Sequence, residues 1–142
     1  MLDTLLSQIG FAVAALVAAF AFLKGDEPER IGAGAFLLGV FATLLIHNGG
    51  ALRGVQWGVL TVDLVFLGVC AALAWKSRRS WPVWASAFQL VVVMSHLLVL
   101  VDLRPAMAAF YFVINLAGYG VLASIAVGTW QAWRDRRVEA IA

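Results

Sequence analysis

Seven strongly polar side chains interrupt the apolar runs of this sequence: His47, Asn48, Asp63, Gln89, His96, Tyr111 and Asn115. Such groups are costly in hydrocarbon and usually face protein or water. Asp63 is a lone carboxylate. Away from water it must be paired, hydrated or protonated, which makes it a candidate proton or cation site. Its candidate partners are His47, His96, Arg53 and Arg104. The plain structural alternative is a helix-packing hydrogen bond. His47 and His96 offer imidazole nitrogens from two separate runs. Two such nitrogens and an apolar slot are all that a b-type haem asks of a protein, and Arg53 and Arg104 would then lie near its propionates. The same histidines with Asp63 make the donor set of a small metal site. Any two histidines near one interface fit such descriptions, so the expectation is that no cofactor is bound.

Other chemistries lack their residues. There is no phosphate loop, no HExxH, no nucleophile elbow and no Cys-His cluster. The one cysteine, Cys70, sits in an apolar run and reads as a core thiol. A non-catalytic role is expected.

The elements that must position these groups follow from composition. Of 142 residues, 63% are hydrophobic and 13% charged, the latter about half the usual share of a soluble domain. The mean hydropathy is +0.95. A soluble fold of this length leaves too much surface wet to hide so much apolar area. A soluble enzyme, a disordered chain, a coiled coil and a nucleic-acid binder are disfavoured. The expected class is an all-α, polytopic integral membrane protein, a single domain over residues 1–142.

Five spans are predicted, at residues 4–23, 31–48, 56–75, 82–101 and 105–130. Each approaches the ~20 residues a helix needs to cross ~30 Å of hydrocarbon. The first run reads as a retained span, because its leader lacks the basic residues of a signal peptide. Pro28, Pro82 and Pro105 fall before or at span starts, where proline is tolerated. Asp26, Ser80 and Asp102 are placed to cap those starts. Gly49-Gly50 ends the second span, and residues 131–142 read as a continuation of the fifth helix. The connections are short, so an antiparallel bundle is expected.

Lys and Arg split unevenly between the two ends of these spans. Arg53 and Arg104 lie on one side. Lys24, Arg30, Lys76, Arg78, Arg79, Arg134, Arg136 and Arg137 lie on the other. Basic residues resist translocation, so the second side is predicted to be cytoplasmic, with the N-terminus out and the C-terminus in. Trp75, Trp81, Trp84, Trp130 and Trp133 mark that boundary, and Trp57 marks the outer one. Indoles favour the headgroup region. Lys76, Arg78, Arg79, Arg134, Arg136, Arg137, Trp75, Trp81, Trp130 and Trp133 are therefore read as lipid and topology anchors. The mixed-sign stretch Lys24 to Arg30 reads as a solvated connection.

Depth from a rise of ~1.5 Å per residue puts His47 roughly 5 Å below the outer boundary, His96 roughly 8 Å, Asp63 roughly 10 Å and Asn115 roughly 14 Å. Shared faces follow from spacing: Ala35, Gly39, Thr43 and His47; Ser86, Gln89, Val93 and His96; Tyr111, Asn115 and Tyr119. These faces are expected to meet in a polar pocket open to the outer side, formed by His47, Asn48, Asp63, His96, Tyr111 and Asn115. Two alanine stripes on the first span, Ala14-Ala18-Ala21 and Ala15-Ala19, allow close helix packing. The functional expectation is a small subunit or accessory protein of a larger membrane assembly, in a bacterial inner membrane. Its partners are lipid and other membrane chains or a second copy, with no nucleic acid. The alternatives are a redox carrier with haem or quinone at His47 and His96, and an oligomeric proton or solute channel or transporter using Asp63.

Overall fold

The computed structural model describes residues 5–49, 52–101 and 106–142; the side chains of 48–49 and 52–56 are outside that description. The proposed roles of Asn48, Arg53, Asp102, Arg104 and Pro105 therefore lie outside the described residues. Among the described residues the chain is all helical, with five helices: α1 (Leu5–Lys24), α2 (Glu27–Gly49), α3 (Leu52–Ser77), α4 (Trp81–Leu100) and α5 (Met107–Ile141). All five are long and apolar enough to cross a membrane.

Helix α2 starts earlier than its hydropathy implies. Charge makes residues 27–30 look like a loop, yet Glu27 and Glu29 lie in the first turn, where acidic side chains favour the helix dipole. Pro28 fits there because a first-turn residue needs no helical N–H partner. Asp26 N–H donates to Glu29 Oε2 at 3.0 Å, one half of a capping box. Ser80, the expected cap of α4, does not cap with its side chain. Its backbone is already helical, at φ −79° and ψ −31°. Helix α5 continues through Gln131 to Ile141, a length of roughly 52 Å.

Each helix packs against its neighbours in the chain, and α5 closes the bundle against α1 and α2. The core is made of Ala18, Ala21, Ala33, Phe66, Cys70, Leu73, Trp81, Ala85, Val121 and Ile125. Of the two alanine stripes on α1, Ala14, Ala18 and Ala21 are buried, the last two in this core, while Ala15 and Ala19 face outward.

Trp81 is the large side chain about which this end of the bundle closes. It is 1% exposed. Its ring occupies space that Cβ atoms would need at two glycines. A Cβ on Gly32 would lie 2.5 Å from Trp81 Cη2, and one on Gly128 would collide with Trp81 Cδ1 and Cγ. Between α3 and α4 the chain turns through Arg78, whose φ is 52°. This is the left-handed conformation in which glycine usually ends a helix, because an L side chain crowds its own carbonyl there.

Candidate functional site

Two polar clusters are built between the helices. The first joins α3 to α4. Gln89 Nε2 donates to Asp63 Oδ1 at 2.9 Å and approaches the Asp63 carbonyl oxygen at 3.3 Å. The second carboxylate oxygen, Oδ2, lies 3.5 Å from His96 Nδ1. It is sealed from solvent and has no hydrogen-bond partner. His96 Nδ1 also lies 3.2 Å from the Val92 carbonyl oxygen, so a proton on that nitrogen faces both oxygens. The imidazole meets the Phe110 ring edge-on at 5.7 Å. The three–four spacing of Gln89, Val93 and His96 supplies the shared face, and antiparallel packing sets Asp63 against it.

Asp63 and His96 are thus brought together, and Gln89, outside the expected pocket, completes the cluster. His47, Tyr111 and Asn115 stand apart. His47 is exposed at its end of α2, although Gly39 on the same stripe faces Val62 of α3. Tyr111 is 55% exposed, and Asn115, also exposed, turns its amide back onto the Tyr111 carbonyl oxygen at 2.8 Å. The Tyr111-Asn115-Tyr119 stripe faces outward because α5 gives Ala117, Val121, Leu122, Ser124 and Ile125 to the interior. Of the six residues expected in one pocket, Asp63 and His96 meet, with Gln89 beside them; Asn48 lies outside the described residues. His47, offered with His96 as a haem or metal ligand, is exposed on α2, while His96 packs against Asp63 and Phe110. Among the described residues, no group of three or more His, Cys, Asp or Glu side chains converges.

The second cluster ties the opposite end of the bundle. Glu29 is fully buried. Its Oε1 accepts a 2.7 Å hydrogen bond from Trp81 Nε1 and lies 3.8 Å from Arg79 Nε. Arg79 Nη2 donates to Asp26 Oδ2 at 2.7 Å. Arg136 Nη1 lies 3.3 Å from Asp26 Oδ1, and Arg136 Nη2 donates to the Lys24 carbonyl oxygen. The arrangement links the α1–α2 turn, the α3–α4 turn and α5. A buried carboxylate is tolerable only with such partners.

Three sequence assignments change here. Trp81 is not a lipid anchor, because its ring is buried and its N–H is spent on Glu29. Arg79 and Arg136, expected as topology anchors, are engaged with Asp26. The stretch Lys24 to Arg30 is only partly a solvated connection: Lys24, Glu27 and Arg30 are exposed, but Gly25 and Glu29 are buried. By contrast Trp75, Trp84 and Trp130 do face outward. Trp133 lies beneath Lys24 and Arg137, at 5.9 and 4.1 Å from its ring centre. The spacing Asp26-x-x-Glu29 was the available sequence signal for the second cluster.

No protein family model matches the chain, and neither does any curated protein or solved structure. The class that fold and clusters define is a small chain, all helical among the described residues, with five helices there long and apolar enough to span a membrane.

Proposed function

We propose that this chain is a small non-catalytic integral membrane subunit that lends helix faces to a larger membrane assembly. Five crossings with the N-terminus out and the C-terminus in agree with the two-against-eight division of Lys and Arg. A bacterial inner membrane is the proposed location. The observation that carries the subunit reading is an unused packing face on α3. Gly68 and Ala72, four residues apart, both point outward, and a Cβ on Gly68 would meet nothing within 4 Å. Ala15 and Ala19 offer a similar stripe on α1. In lipid, small residues at this spacing let another helix approach closely. The test is gentle native purification. A stoichiometric partner chain, or a second copy, should accompany the protein and be lost from Gly68→Leu. A protein recovered alone contradicts the proposal.

A second reading draws on Asp63. A sealed carboxylate oxygen without a hydrogen-bond donor, 3.5 Å from an imidazole nitrogen, is chemically suited to hold and release a proton. Proton flux in proteoliposomes separates the two readings. Equal flux for the natural chain and Asp63→Asn removes the second.

A further inference from the structure

We propose that the α4–α5 seam, at the end carrying the Glu29 cluster, holds one anionic phospholipid. Its phosphate would sit on Arg78 and Arg134, and an acyl chain would lie in the adjoining apolar groove. Two adjoining open grooves carry this inference. One, of about 390 Å³, is lined by Ser77, Arg78, Arg79, Ser80, Arg134 and Asp135, with Gln131. The other, of about 300 Å³, follows the seam past Trp84, Phe88, Gly120, Ala123 and Val127. Ser80 and Gln131 line both. The charged groove and the apolar one thus meet at Ser80 and Gln131, an arrangement that suits a lipid better than a free anion.

The charges at the mouth are not equally available. Arg79 is engaged with Asp26 and Glu29. Arg134 lies over the Trp130 ring at 5.2 Å. The one acidic side chain of the lining, Asp135, is 3.7 Å from Arg134 Nη2 and would compete weakly with a phosphate. Arg78 makes no ion pair among the described residues. It also occupies a left-handed position that glycine would serve better. Guanidinium groups suit phosphate because their N–H forks match its oxygens.

The inference rests on the chain lying in a bilayer. Incorporation of the full chain into nanodiscs tests that premise separately from the site. The site is tested by native mass spectrometry of chain released from discs of equimolar phosphatidylglycerol and phosphatidylcholine. The natural chain should retain phosphatidylglycerol preferentially. Arg78→Gly should lower the preference about fivefold, the share of one basic residue near a membrane surface. Ala123→Trp should lower retention by filling the slot while leaving every charge in place. Lys76→Gln removes an exposed charge outside the groove and should leave the preference intact. Three results would overturn the proposal: equal retention of both lipids, Lys76→Gln acting as strongly as Arg78→Gly, or Ala123→Trp retaining lipid fully. The last would mean that the headgroup alone holds the lipid and that no acyl chain lies in the slot.

Discussion

The Trp81 indole nitrogen lies 2.7 Å from a carboxylate oxygen of Glu29, and the two side chains are 1% and 0% exposed. Removing the donor strands the acceptor away from water. Trp81→Phe should therefore destabilise the fold by about 1–3 kcal/mol for the unsatisfied carboxylate, with a further cost for the space left by the smaller ring. Trp75→Phe and Trp84→Phe, on outward-facing rings, should stay within about 0.5 kcal/mol of the natural chain. Equilibrium unfolding in one detergent compares the three. Equal losses would mean that Trp81 is only another interfacial ring.

Trp81 fits because two glycines make room for it. Gly128→Ala drives a methyl group into the indole and should cost about 1–3 kcal/mol of overpacking strain. Gly118→Ala meets open space and should be neutral or stabilising by up to about 1 kcal/mol, since alanine restricts the unfolded chain. The same unfolding measurement checks both. A neutral Gly128→Ala would show that the Trp81 slot has slack.

Arg78 gives a prediction with opposite signs in two assays. Its φ of 52° carries a cost of about 1–2 kcal/mol for an L-residue. Arg78→Gly should unfold at higher denaturant concentration than the natural chain, while its preference for anionic lipid falls. A variant that is less stable in lipid-free detergent would place Arg78 in the fold rather than at a ligand.

Much of the fold was readable in the sequence, and the reasons are physical. Runs of about twenty apolar residues can satisfy their backbone in hydrocarbon only as helices, so helix number and order followed from run length. The meeting of Asp63 with His96 followed from depth and from the spacing along α4. The direction of the Tyr111-Asn115-Tyr119 stripe did not. Helical periodicity says which residues share a face, but lipid and core are both apolar, so little tells which face turns inward. Glu29 and Trp81 were misplaced for a related reason. A tally of charges and indoles near a boundary contains no information about burial, and the capping-box spacing from Asp26 was the one local clue.

The Asp63 cluster separates the polar residues that are bound from those that are not. Gln89→Leu removes the donor to Asp63 Oδ1 and should cost about 1–3 kcal/mol. His47→Ala, on an exposed side chain, should change stability by no more than about 0.5 kcal/mol. Thermal unfolding in a common detergent is the check. A large loss from His47→Ala would return that residue to the site.

Orientation is open to direct chemical test. Cys70 is buried, so Cys70→Ala gives a background for single new thiols. Leu5→Cys and Ala140→Cys should react with an impermeant maleimide from opposite sides of sealed vesicles. Labelling of both from one side would mean an even number of crossings, and the charge-based topology would fall.

The most direct test of the subunit proposal is the mass of the native particle. After mild extraction, native mass spectrometry should find the 15.3 kDa chain in a stoichiometric complex, and Gly68→Leu should release it as a folded monomer. A natural chain that is monomeric under every mild condition, with Gly68→Leu indistinguishable from it, would contradict the account.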